Sequence, residues 1–320
     1  MSKHSLPKTI QIGISSCLLG MNVRFDGGHK KDRFICQTLG DYFEFIAVCP
    51  EVEVGLGVPR PTIRLIGDSK NPQVVGVKDP SIDITDKLKK YSEKRVKQFK
   101  TLSAYILKSK SPSCGMERVR VYQAKGIPSK MGVGVFAKAL MQAYPQLPVE
   151  EEGRLNDPRL RENFIERIFI YRRWQELMDS GLTKQKLVAF HSQIKYTLMA
   201  HNVKVYQELG QMVANLANKN LKSLATEYVV ILMQTLKRVA SNKRHSNVLQ
   251  HCLGYLKNSI SKEDKQELMD AIDQYRLGFV PLIVPITLLK HHFRRFPNDY
   301  MSKQSYLNPY PREFMLRNMI

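Results

Sequence analysis

The sequence predicts an α/β domain on a Rossmann-like parallel sheet over residues 1–157, followed by an all-α domain over residues 158–320. Three observations predict it. Short apolar runs rich in β-formers alternate with helix-period segments as far as Val149, which implies a parallel sheet with covering helices. Beyond Val149 no segment keeps a strand period, and the patterned stretches repeat at helical spacing. Between the two halves lies a polar boundary, Glu150-Glu151-Glu152-Gly153 through Asn156-Asp157-Pro158.

In chain order, residues 9–16 read as a strand that runs straight into Cys17, with a turn at Leu18-Leu19-Gly20. Arg24, Asp26, Gly27 and Gly28 then form a polar loop near that thiol. Phe34 to Leu39 reads as a short helix carrying Cys36, a small hydrophobe among apolar neighbours. Phe43 to Val48 is a buried strand that stops at Cys49-Pro50-Glu51 and opens into a loop rich in glycine and proline. Thr62 to Gly67 is a further strand, and Asn71-Pro72 a turn. From Ile82 to Phe99 the apolar residues fall at helical spacing, and the opposite face carries lysines, Lys90 and Lys94 among them, able to meet phosphate. Ala104 to Leu107 is the third strand with a cysteine beyond its end, reached through Lys108, Ser111 and Ser113 to Cys114. Gly132 and Gly134 precede a helix from Val135 to Tyr144, whose free N–H groups offer an anion site.

The second half reads as helices over Phe164–Met178, one or two over Leu187–Leu216, and one over Leu221–Ala240 that ends in Asn242-Lys243-Arg244-His245. Two more cover Lys262–Leu277 and Val280–Arg295, the last closing on Lys290-His291-His292-Phe293-Arg294-Arg295. Cys252 falls in a helix as a core residue. His191 and His201 lie ten apart and so do not share one helix face as metal ligands; with Lys195 they are RNA contacts or packing residues.

Fifty basic residues against 29 acidic give a formal charge of +21, and both halves are basic. Such a field favours polyanions, nucleic acid first and anionic membrane second, over a merely solvating surface. The first five residues lack the apolar core of a signal peptide, and the run Val280–Leu289 is broken by Pro281 and Pro285, so neither export nor a membrane span is expected. That points to the cytoplasm, where five cysteines serve metal or redox chemistry rather than disulfides.

The spacing of Cys17, Cys49 and Cys114 fits neither a zinc ribbon nor a ferredoxin, both of which use close pairs. Their shared setting past strand ends is the observation that counts. Three thiolates in one crevice would hold a metal with one position open, and zinc and an iron–sulfur cluster both suit all-sulfur ligands.

Three motifs carry a resemblance. Ser15-Ser16-Cys17-Leu18-Leu19-Gly20 with Val23-Arg24, Val48-Cys49-Pro50-Glu51 through Gly55, Gly57, Pro59, Arg60 and Pro61, and Lys108-Ser109 through Ser111-Pro112-Ser113-Cys114-Gly115 resemble the thiouracil desulfidase family over about residues 9–150. The stretches Ala189-Phe190-His191-Ser192 through Ala200-His201, and Pro285 through His291, resemble the helical domain fused behind it in tRNA 4-thiouridine desulfidases. The resemblance implies a [4Fe-4S] cluster held by Cys17, Cys49 and Cys114, with the fourth iron free of protein. It implies Glu51 as general base and Ser111 as an orienting hydroxyl, while Ser16, Arg24, Asp26, Arg60, Lys108 and Ser113 would contact the thiolated pyrimidine. Lys90, Lys94, His191, Lys195, His201, Lys243, Arg244, Lys290, Arg294 and Arg295 would contact tRNA.

Overall fold

Strand β1 (Ile10–Ser15) stands at the centre of the N-terminal half. The structure, a computed structural model, describes residues 10–123, 127–216, 220–314 and 316–318; Thr9 and residues 1–5 of the readings above lie outside them. The chain divides into two compact units, Met1–Asn156 and Asp157–Ile320.

The first unit adds β2 (Phe43–Val48), a one-turn helix α1 (Pro50–Glu53), β3 (Ile63–Ile66), β4 (Gln73–Gly76) and α2 (Thr85–Val96). It continues with β5 (Ala104–Leu107), β6 (Val119–Tyr122), β7 (Ser129–Gly132), α3 (Val135–Ala143) and β8 (Val149–Glu151). One sheet runs β2-β1-β5-β8 and is parallel throughout. Ser15 pairs with Val48, and Ile14 with Ile106, so β1, β2 and β5 end side by side at one edge. Ile12 and Ile14 are fully buried in it. Gly13 makes room for a core ring: a Cβ there would lie 2.2 Å from the Tyr105 side chain.

A second four-stranded sheet, β4-β3-β6-β7, is mixed: β3 and β6 run parallel, and each has an antiparallel outer neighbour. The sequence showed β3 but not β4, β6 or β7, whose strand form is decided by tertiary pairing rather than by local pattern. Strand β8 was likewise hidden in what read as a charged boundary. Its Glu150 and Glu151 are buried because Arg154 Nε donates to Glu150 at 2.6 Å and the Met116 N–H to Glu151 at 2.7 Å.

The second unit contains α4 (Pro158–Asp179), α5 (Lys184–His201), α6 (Val203–Ala214), α7 (Leu221–Leu236), α8 (Asn242–Gly254), α9 (Lys262–Leu277), α10 (Ile283–Arg295) and α11 (Asp299–Ser302). Asp157 caps α4, its carboxylate accepting from the N–H groups of Arg159 and Leu160. Asn202 separates α5 from α6 by capping Lys204 and Val205. The basic run Asn242–His245 opens α8 rather than closing the helix before it, because that helix already ends at Leu236. Trp174 stacks on Tyr228 at 5.7 Å beside Phe190, and Cys252, Leu268, Ile272 and Leu289 share a second apolar core.

Two histidines are held in the uncharged form inside this unit. His191 bonds the Tyr228 hydroxyl through Nδ1 at 2.9 Å, and His245 bonds that of Tyr306 at 2.9 Å. Loss of solvent, aided by Lys195, pushes the His191 ring down to about 4; loss of solvent, aided by Arg317, pushes His245 to about 3. Both fall below the unfolded value of roughly 6.5, so the unfolded chain binds more protons as pH drops. The contribution is fully present above about pH 6.5 and lost as the pH falls towards 4 and then 3. Thermal melts across that range should show falling stability, and a His191→Gln, His245→Gln double variant should show a flatter slope.

Candidate metal centre

The common edge of β2, β1 and β5 opens into a cleft of about 380 Å³ lined by Cys17, Cys49 and Cys114 together. Each thiol is placed by the turn that ends its strand. Cys17 lies in a tight turn (Ser16–Leu19) closed by Gly20 at φ +90°, a left-handed conformation that favours glycine. Cys49 is the N-cap of α1; its carbonyl accepts the Glu53 N–H at 3.0 Å, and its Sγ donates to the Val23 carbonyl at 3.7 Å. Cys114 follows a turn in which Ser111 Oγ accepts the N–H groups of Ser113 and Cys114 at 3.2 and 3.1 Å.

The three sulfurs sense one another. Burial pushes the Cys17 thiol up to about 11, with Cys49 adding to the shift and Lys108 and Arg24 opposing it. Burial also raises Cys49, and it raises Cys114 well above the ordinary thiol range, reinforced by Glu51, Cys49 and Cys17. All three are free thiols. The other two cysteines stand apart: Cys36 Sγ donates to the Leu18 carbonyl at 3.5 Å and does not line the cleft, and Cys252 is fully buried in α8. Among the described residues no three His, Cys, Asp or Glu side chains are grouped so as to hold a single metal ion. Three free thiols around a shared cleft supply the soft all-sulfur donor set that iron–sulfur clusters use.

Glu51 sits among them. Its Oε2 receives Arg60 Nη2 at 2.6 Å and Nε at 3.0 Å, while Oε1 receives the hydroxyls of Ser113 at 3.0 Å and Ser111 at 3.3 Å. Arg60, 4% exposed in its side chain, also donates through Nη1 to the carbonyls of Val23 and Gly57. Lys108 reaches Glu152 and the Ser109 hydroxyl, and Glu152 in turn accepts the Ser109 N–H at 2.8 Å. Ser16, Arg24, Arg60 and Lys108 all line the cleft.

Several expected contacts stand elsewhere. Asp26 does not line the cleft; it is half-exposed, caps the Gly28 N–H at 3.1 Å and pairs with Arg24 at 3.5 Å, which makes it a turn residue. The N–H groups at the start of α3 are not free for an anion, because the Pro112 carbonyl accepts from Val135, and that of Ser113 from Phe136 and Ala137. His201 is buried, not an RNA contact: Glu166 and the Arg238 carbonyl take its two ring nitrogens. Arg244 is turned onto the His201 carbonyl at 2.6 Å, and Lys195 lies over the rings of Tyr196, Tyr206 and Tyr300. His191 is half-buried against Tyr206 and Tyr228. Lys90, Lys94, Lys243, Arg294 and Arg295 are exposed, and Lys290 is half-buried.

Sequence reasoning missed five residues of this region. Ser15 accepts the Lys108 N–H at 3.0 Å and bonds the Cys114 sulfur, contacts that no local sequence signal marks. Glu152 was hidden in the acidic run. Phe25, Lys30 and Lys110 line the cleft; Phe25 keeps 39% of its surface exposed, with the Arg24 guanidinium 5.3 Å from the ring centroid.

Gly134 anchors the Cys114 loop. A Cβ there would lie 2.5 Å from the Ser113 carbonyl group and 2.8 Å from the Cys114 nitrogen, backbone that has no room to yield. Gly134→Ala should therefore cost roughly 1–3 kcal/mol of stability, as overpacking does, and shift the Cys114 turn. Chemical denaturation checks the first and a crystal structure of the variant the second.

Comparison with known proteins follows the same division. The 2-thiouracil desulfurase family model matches residues 12–152, and the family described as a protein of unknown function, DUF1722, matches residues 195–311. The chain is 32% identical over 165 residues to the uncharacterized protein YbgA of Escherichia coli (strain K12), spanning 51% of this chain and 98% of that protein. It is 32% identical over 152 residues to the uncharacterized protein YbbK of Bacillus subtilis (strain 168), spanning 45% and 97%. A solved structure, the [4Fe-4S]-dependent thiouracil desulfidase TudS, is 27% identical over 47% of this chain and 95% of its own, with a TM-score of 0.37. The chain thus belongs to the 2-thiouracil desulfurase family through residues 12–152 and carries a DUF1722 region behind that domain.

Proposed function

We propose that the first unit is a [4Fe-4S]-dependent desulfidase that replaces the sulfur of a thiolated uracil by oxygen, and that its substrate is 4-thiouridine in tRNA. The observation that carries the reading is a carboxylate, Glu51, fixed in the same cleft as three free thiols with no fourth cysteine beside them. Cys17, Cys49 and Cys114 would hold the cluster. When bound, it supplies a Lewis-acidic iron for the thiocarbonyl sulfur.

The chain's own residues handle the water. Arg60 holds one oxygen of Glu51, leaving the other to meet the hydroxyls of Ser111 and Ser113; Ser113 is fully buried and does not line the cleft, so Glu51 and Ser111, which do, would orient the water. Glu51 takes a proton as the water oxygen bonds to the thiocarbonyl carbon; the carbon–sulfur bond breaks and sulfur leaves as hydrosulfide. C=S becomes C=O with no net electron transfer. The cleft's volume of about 380 Å³, lined by buried Ser16 and exposed Phe25, has room for a pyrimidine ring.

Exposed Lys90, Lys94, Lys243, Arg294 and Arg295, with a charge of +21, support tRNA as the partner, for a small neutral base needs no such field. A second reading, desulfurisation of the free base with a structural helical unit, is favoured by the inward placement of His191, Lys195, His201 and Arg244. Nucleoside analysis of thiolated tRNA, run beside free 2-thiouracil on one anaerobic preparation, separates them. The tRNA reading expects conversion of 4-thiouridine to uridine that weakens steeply with salt; conversion of the base alone selects the second.

Glu51→Gln keeps the shape of the side chain, an oxygen to accept from Arg60 and an amide to donate to Ser111 and Ser113, so the loops stay joined, but it cannot accept the proton. It should retain iron and lose turnover by about 10²–10⁴-fold, the range of a general base. Turnover near that of the unaltered protein would reduce Glu51 to a partner of Arg60.

A further inference from the structure

A cavity of about 590 Å³ opens in the helical unit among α10, α11 and the chain that follows them. That volume lies within the range of small-molecule sites. Ile286, Met301 and Leu307 are buried in its lining and make part of it apolar. Its charged side chains are mostly cationic. Lys290, Arg294 and Arg312 line it, and none of the three makes an ion pair among the described residues. Arg317, also on the wall, is already held by Glu162 at 2.9 Å and Glu166 at 3.4 Å. Asp299 is the single carboxylate of the lining among the described residues. Burial first, and then the like charges of Arg312, Arg317 and Arg294 crowding it, push the half-buried Lys290 amine down to about 8. Such crowding is unfavourable unless an anion joins it.

We infer that this cavity binds a phosphate monoester of mononucleotide size, with its phosphate among Lys290, Arg294 and Arg312 and its ring on the apolar wall. Two guanidinium forks and an ammonium group match the several oxygens of a doubly charged phosphate better than the two of a carboxylate. The cavity far exceeds a phosphate alone, so the apolar part of the lining calls for an organic body. Either a free nucleotide or the phosphorylated end of an RNA strand presents this chemistry. The inference stands apart from the desulfidase reading, since the site lies within the helical unit and its test measures binding.

Calorimetric titration of the full chain at low salt with 5′-UMP tests it. One equivalent should bind, and uridine or inorganic phosphate should each bind at least roughly tenfold more weakly. Unlabelled 2-thiouracil, a probe for the thiol-lined cleft, should not displace it. Arg294 and Arg312 are exposed, so Arg294→Gln and Arg312→Gln should fold normally by thermal melting yet each lose about tenfold in affinity. A 5′-phosphorylated trinucleotide and its unphosphorylated twin distinguish the sources: tight binding of the first alone assigns an RNA end, and rejection of both with 5′-UMP retained assigns a free nucleotide. No binding of 5′-UMP at about 1 mM, unchanged affinity in both arginine variants, or displacement by 2-thiouracil would each overturn the inference.

Discussion

The ion pair between Glu51 and Arg60 is the joint on which the thiol-lined cleft depends. Arg60 reaches back through Nη1 to Val23, whose carbonyl also accepts from the Cys49 sulfur, and its own N–H meets the Phe25 carbonyl. Glu51 reaches forward to Ser111 and Ser113, and Ser111 holds the Cys114 N–H. Through two side chains the loops that follow β1, β2 and β5 become one connected structure. Arg60 is almost wholly buried in its side chain, so removing either partner would leave a desolvated charge, a loss of roughly 3–5 kcal/mol. The pair that would orient the carboxylate in the proposed reaction also ties together the loops that carry the thiols.

The parallel sheet sets where that joint is made. Adjacent strands in one direction deliver their C-terminal turns to one edge, as α/β sheets do for their ligand sites. Three of these turns carry a cysteine, and the fourth, after β8, carries Glu152 for Lys108. This much was legible in the sequence, because a buried strand reads as an apolar run and the cysteine directly follows two of them. Most of the second sheet was not legible: β4, β6 and β7 owe their strand form to pairing with neighbours, which is decided by tertiary contact. Strand β8 was masked by its acidic composition, which a sequence reads as solvated and the fold satisfies with Arg154 and a backbone N–H. Ser15 is a case of a residue quoted in a motif whose task, bonding Cys114 across 99 positions of sequence, only the fold discloses.

The helical unit shows why charge is a poor guide to individual contacts. His201 and Arg244 carry the residue types of an RNA surface, yet one completes a buried pair with Glu166 and the other closes on a helix-end carbonyl. What distinguishes them from Lys243, Arg294 and Arg295 is a partner within the fold, and no spacing rule encodes partners 35 or 43 positions away. The excess of positive charge that remains unpaired is on the outside and around the cavity of α10. Both are places where an anion improves the electrostatics of the chain.

The central claim is that three thiols, and no others, hold one iron–sulfur centre. It is tested most directly by iron and acid-labile sulfide content, with the visible spectrum, of single Cys→Ser variants reconstituted anaerobically. The account predicts that Cys17→Ser, Cys49→Ser and Cys114→Ser each lose the centre, while Cys36→Ser and Cys252→Ser keep it in full. Loss of iron in Cys36→Ser equal to that in Cys49→Ser, or a full complement retained without Cys114, would contradict it.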